Sequence, residues 1–296
     1  MDPKWDEINW NSIRFLKPAG WQITNIGRNY LMLGTHGGPK MEITWESSPK
    51  SVSPRIGVKQ LQTRILKRHL ATATAWNPCP SWVQALSSYQ TSGFSWNNST
   101  HTGHGLILSC AFCHRTSLIQ FYQTHPADDH FEAIVPRLLS SFRDHPEDDR
   151  LQWAVFDIRA TLPANFQIKT YRFLPGFITI CFCSKNEQIT LYRWSPASVL
   201  LAGRKLSEFA GTLRFYPGDA SEKMWDENRI EWEYHRSYGI WTRFLSRLSV
   251  GISHQRFLIR HVPEKNRILA VNAESKQPID PSLFEQISLD YEITPA

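Results

Sequence analysis

Hydrophobic and polar positions alternate with a period of two through several short runs, and these runs come in pairs. Residues 30–33 and 41–45 are β-rich runs around a connection holding Gly34, Gly37, Gly38 and Pro39, residue types that suit a tight turn. Residues 106–112 and 117–122 are alternating arms that meet around Cys113-His-Arg-Thr116. Between the two pairs, Val58, Leu61 and Ile65 recur at helical spacing and predict a helix over residues 57–71 with one apolar face. A further helix is predicted after Asp129, where Asp129 and Glu132 suit a capping box and Ile134, Val135, Leu138, Leu139 and Phe142 form the stripe. Pro136 must kink that helix or begin it. Residues 15–23 add an opening strand with a Pro-x-x-aromatic turn, so the order is strand, hairpin, helix, hairpin, helix.

That order is written twice. Ile13-Arg14 with Pro18-Ala19-Gly20-Trp21-Gln22-Ile23 returns as Ile158-Arg159 with Pro163-Ala164-Asn165-Phe166-Gln167-Ile168. Residues 104–121 align with residues 254–271 at an offset of 150, which sets Arg260 and Pro263 opposite Cys110 and Cys113. Phe131-Glu-Ala-Ile134 returns as Phe284-Glu-Gln-Ile287, and Trp194 aligns with Trp45. The second copy offers runs at 177–182 and 188–194, a helix at about 196–211, and arms at 256–262 and 267–273 around Pro263-Glu-Lys-Asn266. Two tandem domains are expected, 1–150 and 151–296, each near the usual domain size.

With Pro18, Trp21, Trp45 and the closing Leu138-Leu-Ser-Ser-Phe-Arg143 in the first copy, and Pro163, Phe166 and Trp194 in the second, the chain resembles the PsbP-like fold family. That family includes the PsbP subunit of photosystem II, DcrB-type proteins and type VI secretion adaptor chaperones. The resemblance implies an α+β fold, two tandem copies of an antiparallel sheet flanked by helices in an α/β/α sandwich. It also implies action by docking to proteins, with no catalytic residue carried over. The second copy departs at residues 287–293, where Ile-Ser-Leu-Asp-Tyr-Glu-Ile replaces the closing motif, so its last helix is expected to be short or to become extended.

Composition adds a compartment and a charge pattern. No basic, apolar leader opens the sequence and no apolar run is long enough to span a membrane, so a cytoplasmic protein without membrane insertion is expected. Five cysteines, an odd and sparse set, argue against a secreted disulfide framework. The net charge of +6 conceals a segment, residues 47–127, with no Asp or Glu. Lys50, Arg55, Lys59, Arg64, Lys67, Arg68 and Arg115 lie within it, and Arg64, Lys67 and Arg68 project away from the apolar face of the 57–71 helix. Between Glu233 and Glu264 the second copy repeats the pattern with Arg236, Arg243, Arg247, Arg256 and Arg260. A solvated helix face explains such runs as readily as an anionic partner does. Nucleic acid is a possible partner on charge alone, although no helix-turn-helix, RNP-type strand or paired-cysteine finger accompanies it.

Chemistry-bearing motifs are sparse. No Gly-x-Ser-x-Gly elbow, His-Glu-x-x-His or Walker pattern is present, and neither an enzyme nor a cofactor is expected. His101, His104, Cys110 and Cys113 carry ligand types suited to zinc. Cys110 and Cys113 tend to face opposite ways in a regular strand, and the second copy lacks them, so reduced thiols without metal are the primary expectation. Tryptophan is in excess, 12 in the chain, and Trp76, Trp82 and Trp96 fall in a Ser/Thr/Asn-rich stretch that looks like an insertion outside the sheet. Its counterpart, 215–251, holds Trp241. Aromatic residues and arginine dominate binding hot spots. The expected function is a non-catalytic protein-binding subunit or adaptor of a larger complex, its partner presenting an acidic or apolar face. The residues expected to bind are Arg55, Lys59, Arg64, Lys67, Arg68, Trp76, Trp82, Trp96, Arg236, Trp241, Arg243 and Arg247. A nucleic-acid-binding accessory protein and an enzyme with a site assembled from distant residues are the alternatives.

Overall fold

Pairs of alternating runs become antiparallel hairpins in the computed structural model, which describes residues 4–47, 72–97, 101–123, 130–146, 148–213, 221–235 and 254–294. The chain divides into two units, one of Met1–Glu147 with Ala154–Phe156, the other of Asp148–Trp153 with Asp157–Ala296.

Unit one opens with β1 (Trp5–Trp10) and β2 (Ile13–Pro18), paired from Trp5↔Pro18 to Trp10↔Ile13. Asn11 and Ser12 turn between them with φ of 47° and 70°, the two-residue turn whose twist matches that of its strands. The Trp21 amide then donates to the Pro18 carbonyl at 2.9 Å, closing the Pro-x-x-aromatic turn into the sheet. There follow β3 (Gln22–Gly27), β4 (Tyr30–Thr35), β5 (Gly38–Ser47), β6 (Thr72–Ala75), α1 (Pro80–Ala85), β7 (Tyr89–Asn97), β8 (Thr102–Cys110), β9 (Arg115–Gln123) and α2 (His130–Ser140). The strands order as β3-β4-β5-β9-β8-β7-β6, every neighbour antiparallel. β8 and β9 lie inside this order and bury most of their residues. Trp45, Phe121, Leu106 and Ile119 fill the core there, each large apolar side chain contributing roughly 1.5–3 kcal/mol. Glycine has a defined use in β8. Phe94 occupies the space over Gly105, and Trp96 that over Gly103.

β10 (Arg150–Val155) belongs to unit two up to Trp153 and to unit one at Ala154 and Val155. Unit two contains in addition β11 (Ile158–Pro163), β12 (Gln167–Leu174), β13 (Phe177–Cys183), β14 (Glu187–Trp194), α3 (Ala197–Leu201), α4 (Leu206–Gly211), β15 (Ser221–Asp226), β16 (Arg229–His235), β17 (His254–Val262), β18 (Arg267–Ser275), α5 (Pro281–Asp290) and β19 (Glu292–Ile293). Its sheet runs β12-β13-β14-β18-β17-β16-β15, the same strand order as in unit one. Trp232, Phe257, Ile259 and Ile268 pack with Phe209 of α4 on one face. Asp280 caps α5, its side chain accepting from the Ser282 amide at 2.9 Å, and Tyr291 ends it fully buried.

The expected α+β sandwich is corrected: among the described residues the fold is β-rich, built of antiparallel sheets with few, mostly short helices. Two differences from expectation account for this. The Trp-rich stretch expected to be an insertion outside the sheet is β6, α1 and β7, which extend the sheet, and its counterpart supplies β15 and β16. The helix expected at 196–211 is two short ones, interrupted where Ala202 and Gly203 take left-handed backbone at φ 47° and 83°. The helix expected at 57–71 lies outside the described residues. At the end of unit two the chain is helical to Asp290 and then extended through Glu292–Ile293, which pairs with Arg159 and Ile158.

Candidate functional site

The β8–β9 turn brings together groups that the sequence keeps 30 residues apart. β8 ends at Cys110, and the His114 amide donates back to the Cys110 carbonyl at 3.1 Å, closing a turn through Ala111, Phe112 and Cys113. His114 adopts φ 56°, left-handed backbone that histidine tolerates better than most residues, and Arg115 starts β9. Below the turn runs the chain that follows α2. Phe142 is buried, and Arg143 forms a two-way backbone bridge with Arg14, amide to carbonyl at 2.8 and 2.9 Å. This bridge fixes Asp144 and His145 beneath the turn.

Four ligand-type atoms then lie within 4.8 Å of one another: the Cys110 and Cys113 sulfurs, an Asp144 oxygen and an imidazole nitrogen of His145. The Cys113 thiol donates to Asp144 Oδ2 at 3.4 Å, and Cys110 Sγ lies 3.7 Å from His145 Nδ1. His145 Nδ1 is 2.7 Å from Asp144 Oδ1, which also accepts from the Tyr89 hydroxyl at 3.3 Å. Asp144 is 1% exposed, and the Arg115 guanidinium donates to its backbone carbonyl. Burial pushes the Cys113 thiol up to about 12, with the Asp144 charge and Cys110 adding to the effect. Burial, again with Asp144, raises Tyr89 far above the ordinary phenol range. Outside this buried cluster Phe112 stands 80% exposed, its ring stacked on His145 at 4.8 Å and 28°.

Of the expected zinc set, Cys110 and Cys113 belong to this cluster and the two histidines do not. His104 is six residues back along β8, about 20 Å by strand rise. It stacks on Trp76 at 4.1 Å, and burial holds its imidazole below the usual range. His101 lies edge-on to Tyr122. The objection that the cysteines face opposite ways fails because Cys113 is in the turn, past the end of the strand. Asp144 and His145 form no ligand pattern with their neighbours in the sequence. Their pairing with the turn rests on the tertiary Arg14–Arg143 bridge.

The residues expected to bind a partner fare differently. Trp82 and Trp96 are 5% and 4% exposed, Trp82 packed edge-on to Phe121 at 5.3 Å and Trp96 edge-on to Tyr122 at 5.1 Å. They fill the interior of unit one and present no docking face. Trp76 is half-buried over His104 with its edge to Trp82. Arg55, Lys59, Arg64, Lys67, Arg68, Arg236, Trp241, Arg243 and Arg247 lie outside the described residues. Among the described residues no helix is long and apolar enough to cross a membrane.

No family model and no curated protein matches this chain. Solved structures similar to it include the PsbP protein of the cyanobacterium Synechocystis sp. PCC 6803, at 9% identity and TM-score 0.33, covering 49% of this chain and 95% of that one. The Saccharomyces cerevisiae Ran-binding protein Mog1p matches at 8% identity and TM-score 0.29, with the same two coverages of 49% and 95%. MucB, solved in complex with MucA, matches at 7% identity and TM-score 0.21 over 96% of this chain and 84% of that one. A PsbP protein is thus among the structural neighbours, at low similarity, and no individual protein is identified. None of these likenesses assigns a role to a residue here.

Proposed function

We propose that this protein is a non-catalytic binding subunit or adaptor, and that unit one docks to a protein partner through the β8–β9 turn. Phe112 carries the reading. A phenylalanine exposed to 80% forgoes roughly 1.5–3 kcal/mol of burial, and here it is held outward on a turn closed by a backbone hydrogen bond and backed by the His145 ring. Rigid aromatic side chains of this kind anchor interfaces because little conformational freedom is lost on docking. His114 and Arg115, which follow it in the turn, and His145, which stacks on it, suit a partner with an acidic or apolar face. Unpaired cysteines are in keeping with a cytoplasmic setting. The common strand order of the two sheets supports reading the units as copies of one domain, with the docking turn particular to the first.

The test is affinity purification of the full chain beside its Phe112→Ala variant. The reading expects a protein partner retained through moderate salt and lost from the variant, with hydrogen-exchange protection over residues 111–115 in the complex. Capture that nuclease abolishes and that falls steeply with salt would replace it by the nucleic-acid reading.

A further inference from the structure

Cys110, Cys113, Asp144 and His145 form a donor set that the fold itself does not require. The corresponding turn of unit two, between β17 and β18, ends on the same left-handed residue, Asn266 at φ 52° where unit one has His114 at 56°, although the Asn266 amide closes it on the Pro263 carbonyl, three residues back, and the His114 amide on that of Cys110, four back. Counting back from that residue, Val262 stands where Cys110 does and Lys265 where Cys113 does. A hairpin of this shape is thus built without either cysteine. In unit one the two thiols converge with a carboxylate and an imidazole, two soft donors and two borderline or hard ones, in a half-buried to buried setting.

We propose that these four side chains bind one zinc ion in a tetrahedral site of two thiolates, one carboxylate and one imidazole, tying the β8–β9 turn to the chain after α2. Zinc bond lengths of about 2.0–2.3 Å place tetrahedral ligands about 3.3–3.8 Å apart. The Cys110–His145 and Cys113–Asp144 separations of 3.7 and 3.4 Å already lie in that range. The Asp144–His145 contact of 2.7 Å has to open by about 0.6 Å to reach it. Two of the ligands have an outer support of the kind that orients metal-binding side chains: Tyr89 donates to the Asp144 carboxylate, and Phe112 stacks on the His145 ring. Two thiolates and a carboxylate around a divalent cation leave one net negative charge. Arg115, whose guanidinium reaches the Asp144 carbonyl and whose buried Nε finds no acceptor among the described residues, offsets it. Thiolate ligands with imidazole favour zinc over magnesium or calcium, which take oxygen. Four protein ligands make the site a closed, structural one. Binding releases the two thiol protons to solvent. This inference stands apart from the docking reading, since zinc can be bound whether or not Phe112 meets a partner.

The full chain, purified under reducing conditions and supplied with zinc, is expected to retain one zinc per chain by elemental analysis after desalting. Cobalt(II) in its place should give thiolate-to-metal charge transfer and the intense visible bands of a tetrahedral ion, both displaced by zinc. Cys110→Ser and Cys113→Ser should each lower zinc retention at least tenfold, while Cys79→Ser and Cys183→Ser leave it at one. Less than a tenth of an equivalent of zinc with no cobalt–thiolate band overturns the proposal, as does one equivalent that persists in the Cys110→Ser/Cys113→Ser double variant. Should a serine variant fail to fold, the cobalt spectrum of the unaltered chain decides.

Discussion

His114 and Asn266 close corresponding hairpins with the same left-handed backbone, φ 56° and 52°, each one residue before the arginine that restarts the sheet. A β-branched side chain is poorly accommodated there, at roughly 1–2 kcal/mol. His114→Val is expected to lose about that much stability in urea denaturation, whereas His114→Gly, which relieves the backbone, should be neutral or slightly stabilising. Equal effects of the two changes would show that the backbone conformation does not govern this turn.

Gly105 makes a sharper prediction. A Cβ on this residue would lie 2.0 Å from Phe94 Cζ, in a strand with buried neighbours on both sides. Gly105→Ala should therefore destabilise unit one by roughly 1–3 kcal/mol through overpacking. Combining it with Phe94→Leu should cost less than the sum of the two single changes, because the smaller side chain makes room for the methyl. A double-mutant cycle in denaturant reads the coupling.

The turn residues also explain what the sequence could and could not reveal. Short β-rich apolar runs bounded by turn residues located β4, β5, β8 and β9 and their counterparts; β8 and β9 bury both faces, so their runs are nearly continuous in apolar residues. The hairpin registers set Cys110 opposite Val262 and Trp45 opposite Arg193, an offset of 152 and 148 respectively, where residue similarity had chosen 150 and 149. In a strand a slip of one reverses the face: Trp45 is core, and the residue truly equivalent to it, Arg193, is a buried arginine in an ion cluster. β6 and β7 escape an apolar pattern because Ser, Thr and Gln fill many of their positions, whereas β16 does alternate, Ile230, Trp232 and Tyr234 against Glu231 and Glu233, but lies in the stretch expected to be an insertion. The Cys/Asp/His cluster was half legible. Its two cysteines are neighbours in sequence, while Asp144 and His145 arrive through a backbone bridge that no local pattern announces.

Cys113 should titrate late. In protein freed of metal by a chelator, its thiol is pushed up to about 12 from the ordinary 9.0, first by burial and then by Asp144 and Cys110. The folded state therefore holds a proton that the unfolded chain gives up above pH 9. The resulting stabilisation is complete below about pH 9 and is lost as pH rises towards 12. Stability measured across that window should fall less steeply in Cys113→Ser. Iodoacetamide at neutral pH should label the exposed Cys79 well before Cys113.

Asp157 gives the opposite pH dependence in unit two. Its carboxylate accepts from Arg267 Nε at 2.9 Å and from Arg193 through both Nε, at 3.2 Å, and Nη2. Burial alone would raise its pKa, but the hydrogen bonds and charges of Arg193 and Arg267 outweigh that and hold it below the ordinary 3.8. A depressed folded pKa means stabilisation that is full above the unfolded value and lost as pH falls below about 3.8 through the folded one. Asp157→Asn removes the charge but keeps the shape, leaving the buried Arg193 and the half-buried Arg267 without their counter-ion, and should cost roughly 3 kcal/mol at neutral pH. The variant should also lose part of the acid-side slope. Removing all three charges together, with Arg193→Met and Arg267→Met added, should restore part of the loss, because no uncompensated cation then remains. Thermal unfolding at pH 7 and at pH 3 measures both effects, and a triple variant no more stable than Asp157→Asn would show that Asp157 acts by packing instead of by charge.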